Sequence, residues 1–381
     1  METEMKTKIW LSSPHMGGEE MKYVQQAFDE NWIAPLGPNV NGLESDLEQF
    51  LSEDIHVAAV SSGTAALHLA LILLGVEHGD EVLCQSLTFS ASANCIMYVG
   101  AEPIFVDSEK DTWNICPETL EAAILDRIKK GKKPKAIITI CLYGMPYKVE
   151  EITAISQKYG IPVIEDSAEA LGSEYKGKKV GTFGDISILS FNGNKIITTS
   201  GGGALILKDP AFKKKAIYLS TQAKDDSTYY EHTTLGYNYR MSNVCAGIGR
   251  GQMEVLESRI QQRRANNLFY QKRLDGIKGV SVFKEPNANF YSNHWLSVIQ
   301  IDPEVWGEQK VLRIFQEMRD ENIEVRPLWK PMHLQPVFKN RTFYSSGVSE
   351  HLFANGLCLP SGSNLTEEQK ERVLENLLKN F

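Results

Sequence analysis

Short apolar runs alternate with amphipathic stretches through the first half of the chain. Val57–Val60, Glu81–Cys84, Pro103–Val106, Lys135–Ile140, Pro162–Ile164, Ile186–Phe191 and Gly203–Leu207 are brief and largely apolar, which predicts strands. Between them, apolar positions fall at helical spacing over Gly42–Ser52, Pro117–Lys129 and Val149–Tyr159. Another helix, apolar nearly throughout, opens at Ser61-Ser62-Gly63-Thr64 and runs to about Leu74. Strands alternating with helices at this spacing predict βαβ units and a mostly parallel sheet. A long helical pattern from Asn243 to Leu274 then leads into a different arrangement, with strands predicted at Trp295–Ile301 and Glu324–Pro327. Helices are predicted there at Glu308–Glu321 and Thr366–Leu378, the second opened by the capping box of Thr366 and Gln369. The pattern predicts an α/β chain with a large domain over residues 1–250 and a smaller α+β domain over residues 251–381.

Composition narrows the class. The 381 residues are 42% hydrophobic and 23% charged, ordinary for a globular protein. A net charge of −8 argues against nucleic acid as a partner, because a basic patch is its usual footprint. The six cysteines show no C-x-x-C pair and no zinc spacing, so reduced buried thiols are expected and no metal. Met1–Lys6 is charged, and the longest apolar run, Leu67–Val76, is interrupted by His68 and Gly75. Neither a signal peptide nor a membrane span is expected, which predicts a cytoplasmic protein. No G-x-G-x-x-G follows an early strand, so a dinucleotide site is poorly supported.

Three segments carry chemistry. Lys195 lies between the run Ile186–Phe191 and a strand opened by Gly201-Gly202-Gly203. It reads either as a solvated lysine in a hairpin loop or as a desolvated amine able to form a Schiff base. Asp166, 29 residues upstream, ends the run Pro162–Ile164 with Glu165. It reads as a cap of a following helix or as a strand-end carboxylate that meets a ligand. Pyridoxal phosphate needs such a carboxylate to keep its ring nitrogen protonated. Ser61-Ser62-Gly63-Thr64 reads as an ordinary cap or as a phosphate site at a helix N-terminus.

Together the blocks Ser62-Gly63-Thr64, Thr88-Phe89, Glu165-Asp166-Ser167-Ala168-Glu169, Ser190-Phe191 through Lys195, and Gly236-Tyr237-Asn238-Tyr239-Arg240-Met241 resemble the signature of the DegT/DnrJ/StrS nucleotide-sugar aminotransferases. They occur in family order over nearly the whole chain. The resemblance implies the fold type I aminotransferase architecture and pyridoxal 5'-phosphate as cofactor. It implies Lys195 as the Schiff-base lysine and proton carrier, and Asp166 as partner of the ring nitrogen. Phe89 would stack on the ring, and Glu169 would lie near its phenolic oxygen, sharing a proton or serving the substrate. Gly63, Thr64 and Ser190 would hold the phosphate. Asn238 would reach the phosphate of the neighbouring subunit, which implies a homodimer with shared active sites. His333, within Arg326-Pro327-Leu328-Trp329-Lys330-Pro331-Met332-His333, would border the sugar.

The same resemblance implies a nucleotide-linked keto sugar and L-glutamate as substrates. The stretches Leu11–Glu20 and Asn31–Val40 resemble the branch acting at carbon 4 of UDP-linked 4-keto-6-deoxy-N-acetylhexosamines for surface glycans. Amination at carbon 3 of a dTDP-keto sugar, or of a cyclitol ketone, is the alternative. The dehydratase subgroup replaces the lysine by histidine, unlike Lys195 here. A non-catalytic regulator of this fold would be expected to lose Lys195 or Asp166, and both are present.

Overall fold

Every apolar run predicted between residues 57 and 207 is a strand of one eight-stranded sheet in the computed structural model, which describes residues 6–52 and 54–381. The reading of Met1–Lys6 therefore falls almost wholly outside the described residues. The strands, in chain order, are β1 (His56–Val60), β2 (Glu81–Gln85), β3 (Glu102–Val106), β4 (Ala136–Ile140), β5 (Val163–Asp166), the short pair β6 (Glu174–Tyr175) and β7 (Lys178–Lys179), β8 (Ile186–Ser190) and β9 (Gly203–Leu207). Then follow β10 (Val280–Val282), β11 (Phe290–Tyr291), β12 (Ser297–Ile301), β13 (Arg326–Pro327), β14 (Phe343–Tyr344) and β15 (Gly356–Leu359).

The large sheet has the order β1-β9-β8-β5-β4-β2-β3-β14. Only β9 runs against its neighbours, pairing antiparallel with both β8 and β1. Every residue of β2, β4 and β9 is buried, because helices cover both faces. That double covering explains continuous apolar runs in place of alternation. The helix Gly63–Leu73 is apolar nearly all round for the same reason, with nine of its 11 residues buried.

A second sheet, β10-β12-β15-β13, is antiparallel throughout and carries its own core of Tyr270, Ile299, Ile314, Met318 and Leu374. Two segments cross the boundary drawn at residue 250. Ile9 bridges to Ile323 and packs in this C-terminal core. In the other direction, β14 adds a parallel edge to β3, with Phe343 opposite Phe105.

The pattern Asn243–Leu274 is two helices, Asn243–Met253 and Leu256–Leu274. The first is a seam of close approach: a Cβ on Gly251 would stand 2.6 Å from the Glu20 backbone nitrogen, and one on Gly249 2.8 Å from Thr199 Cγ2. The second packs Tyr270 and Leu274 into the C-terminal core. Different partners for the two halves account for the break that periodicity alone did not show. The helices Glu20–Asp29, Ser90–Tyr98 and Pro210–Ser220 were not legible in the pattern. The predicted helices Pro117–Lys129 and Val149–Tyr159 match their observed bounds, and the Thr366 capping box is formed in both directions.

Candidate active site

The site lies at the carboxyl ends of β5 and β8, where ligands of open α/β sheets bind. The loop joining β8 to β9 is closed at its base by Phe191 N–H donating to Gly202 O (2.9 Å) and Thr199 N–H donating to Phe191 O (2.9 Å). Phe191, Ile196 and Ile197 are buried and anchor it. Lys195 is thus a hairpin-loop lysine, and its side chain is nevertheless only 12% exposed. Its Nζ stands 3.4 Å from Glu169 Oε1 and 4.0 Å from the centre of the Trp295 ring.

Asp166 ends β5 directly beside Ile188 of β8. Its Oδ2 accepts from Ser92 Oγ at 2.7 Å and its Oδ1 from the Ala168 N–H at 3.2 Å. Burial pushes its carboxyl above the usual range, against the pull of those two donors and of Lys195. Glu169 is shifted the same way by burial, opposed first by the charge of Lys195 and then by the Tyr143 N–H, which donates to Oε2 at 2.7 Å. Tyr143 takes φ +54°, a left-handed turn that aims this N–H at the carboxylate.

Opposite these groups is the N-terminus of the helix Gly63–Leu73. Ser62 caps it by accepting from the Ala65 N–H at 3.0 Å. The seat is tight: a Cβ on Gly63 would lie 2.9 Å from Ser190 Cβ, and one on Gly203 2.5 Å from the Gly63 nitrogen. Gly63, Thr64, Ser190, Asp166, Glu169 and Lys195 all line one cavity of about 380 Å³. These residues fit pyridoxal phosphate: a helix N-terminus suits its phosphate, a buried carboxylate its ring nitrogen, and a shielded amine its aldehyde.

The remaining candidates are dispersed. Phe89 lines the cavity, is 53% exposed and packs on Trp329 at 5.5 Å between ring centres. Asn238 does not line it; its Oδ1 accepts from Gln222 Nε2 at 3.0 Å on the exposed surface. His333 does not line it either: its ring stacks on Phe343 at 3.6 Å and its Nδ1 lies 2.7 Å from Ser86 Oγ. Ser92 and Tyr143 were missed by sequence reasoning, since each acts through a contact that only the fold makes. Trp295, the start of a predicted strand, faces the lysine. Among the described residues no group of His, Cys, Asp or Glu could hold a metal ion, and no helix is long and apolar enough to cross a membrane.

Comparison with known proteins bears on this geometry. The DegT/DnrJ/EryC1/StrS aminotransferase family matches residues 14–378. EpsN of Bacillus subtilis (strain 168), whose name assigns it provisionally to the pyridoxal phosphate-dependent aminotransferases, is 49% identical over 99% of this chain and 97% of its own. GDP-perosamine synthase of Escherichia coli O157:H7 is 38% identical over 97% of both chains. A crystal structure of a DegT DnrJ EryC1 StrS aminotransferase from Brucella abortus superposes with a TM-score of 0.87, at 29% identity over 95% of each chain.

Proposed function

Because this chain belongs to the DegT/DnrJ/EryC1/StrS aminotransferase family and is a pyridoxal phosphate-dependent sugar aminotransferase of nucleotide-sugar or polysaccharide biosynthesis, we propose that it moves the amino group of L-glutamate to carbon 4 of a UDP-linked 4-keto-6-deoxy-N-acetylhexosamine. The observation that carries an amination is the cavity itself: a shielded lysine amine, two buried carboxyl groups and a helix N-terminus face one another. Bound there, pyridoxal phosphate supplies the carbon that takes up the amino group and a ring that accepts the electron pair.

The chain's own residues do the rest. Asp166 holds the proton at the ring nitrogen, positioned by Ser92 and the Ala168 N–H. The Lys195 amine anchors the cofactor and, once free, carries the proton taken from the donor's α carbon. Glu169, 3.4 Å from Nζ, is the acceptor beside that proton. Gly63 and Thr64 offer backbone N–H groups, and Ser190 a hydroxyl, to the phosphate. Phe89 and Trp329 shape the open side.

A second reading, a GDP-linked keto sugar, is favoured by the resemblance to a GDP-perosamine synthase over nearly the full chain. One experiment separates the two. The protein is incubated with pyridoxal phosphate, L-glutamate and a panel of UDP-, GDP- and dTDP-linked keto sugars, and products are identified by mass spectrometry and NMR. A 4-amino product from the UDP-linked N-acetylhexosamine supports the first reading; turnover confined to a GDP-linked sugar replaces it. Amination at carbon 3, or of a cyclitol ketone added to the same panel, would overturn both.

A further inference from the structure

Lys195 Nζ has two close partners in the cavity, and only one of them is a carboxylate. The other is the indole face of Trp295, 4.0 Å from Nζ to the ring centre, well within the range of cation–π attraction. Trp295 is 1% exposed, the largest fully buried side chain among the described residues, so this contact is made almost without water. Its orientation is held from several sides. Nε1–H donates to Asn194 O at 2.7 Å, on the residue next to the lysine. The backbone N–H donates to Asn293 Oδ1 at 2.8 Å, and the ring stacks on Tyr143 at 6.4 Å. The buried guanidinium of Arg263 donates to Trp295 O at 2.7 Å and reaches Lys195 O at 3.5 Å, so one cation ties both backbones.

We propose that Trp295 is a further catalytic residue, whose indole face is the resting place of Lys195 Nζ whenever that amine is free of the cofactor. The proposal rests on the transamination reading above. In that reaction the free amine takes a proton and becomes an ammonium, then gives the proton up. An indole presents a negative face to a cation, and its own N–H is spent on Asn194. It therefore steadies the ammonium without competing for its proton. Glu169, 3.4 Å from Nζ, is the counter-ion; Asp166 is a second carboxyl coupled to the lysine charge, and Arg263 meets the lysine at its backbone oxygen. The lysine then moves between two defined positions, cofactor carbon and indole face, and is not left to wander through the cavity.

The test changes the ring's charge distribution and leaves its shape. Tryptophan carrying increasing numbers of fluorine atoms is placed at position 295 alone, and the single-turnover conversion of the bound cofactor by L-glutamate is followed without any sugar. The rate is expected to fall stepwise, reaching a loss on the order of tenfold at full fluorination. Trp295→Leu should lose at least as much rate, and Trp295→Phe less. A readout independent of turnover uses cofactor-free protein with 13C at the lysine ε carbon, the Lys195 signal being assigned by its loss in Lys195→Arg. Its ε-methylene protons should appear upfield through the indole ring current and return to the ordinary lysine position in Trp295→Leu. A flat fluorination series, or an unshifted Lys195 signal in the wild-type chain, overturns the proposal. Failure of every keto sugar to react, with both readouts as expected, overturns the sugar assignment alone. If Trp295→Leu does not fold, the fluorinated series decides.

Discussion

Asp166 is the residue at which stability and chemistry oppose each other. Its carboxyl is buried among few donors and titrates above its ordinary value in the folded chain. A carboxyl raised in this way contributes its stability in the neutral form, at acid pH, and that contribution is lost as the pH rises through the folded value. Above that range the cofactor-free protein is therefore less stable than at acid pH by this contribution. Asp166→Asn is expected to raise the melting temperature of the cofactor-free protein at pH 7–8, by an amount that shrinks toward acid pH. The same change should abolish most turnover while cofactor still binds, because an amide does not hold the pyridinium proton. Melting curves across pH and single-turnover amination check the two halves. At the same scale, the purified protein should be yellow, and borohydride should fix the cofactor on Lys195; a peptide map with the adduct on another lysine overturns that assignment.

Single elements carry the cofactor seat with little tolerance. β9 meets the start of the helix Gly63–Leu73 so closely that a Cβ on Gly203 would stand 2.5 Å from the Gly63 nitrogen and 2.6 Å from Ser62 O. Those atoms are backbone and have nowhere to retreat. Gly203→Ala is expected to cost about 1–3 kcal/mol of stability by overpacking and to weaken cofactor binding as the helix start is pushed away. Denaturant midpoints and a cofactor titration measure the two effects. The last helix, Glu367–Leu378, provides the contrast. Thr366→Ala removes one arm of its capping box and should cost about 1 kcal/mol with cofactor affinity unchanged, since the cap is exposed and remote from the cavity.

At the scale of the whole molecule, one protomer's cavity is lined without Asn238. Trp32, Leu36, Tyr229, Tyr230 and Leu235 are exposed large side chains, and aromatic residues of this kind are enriched at interfaces. In the two-fold dimer that the family resemblance implies, each site would draw Asn238 from the partner. Mixing Lys195→Ala subunits with Asn238→Asp subunits tests this, because the added carboxylate repels the phosphate in whichever site it lines. With a contact across the interface, a mixed dimer gathers both lesions in one site and leaves the other intact. Activity should then reappear, up to about half of wild type per mixed dimer. With subunit exchange demonstrated, no recovery means that the sites are not shared.

Features that depend on near neighbours are legible in the amino-acid order. Apolar runs located seven of the eight strands of the large sheet, Thr366 with Gln369 announced its capping box, and the flanks of Lys195 and Asp166 marked both as candidates. Each signal spans a few residues and survives whatever the chain does elsewhere. Features that depend on strand order and close approach emerge only in the folded chain. β5 lies beside β8, which sets Asp166 and Lys195 in one cavity, and Ser92, Tyr143 and Trp295 arrive from three other parts of the chain. His333 turns to Phe343 and Ser86 because β14 docks on the edge of the large sheet, a pairing for which a two-residue strand leaves no periodic trace. Convergence of distant side chains follows from packing both faces of the sheet at once, and no local pattern encodes it.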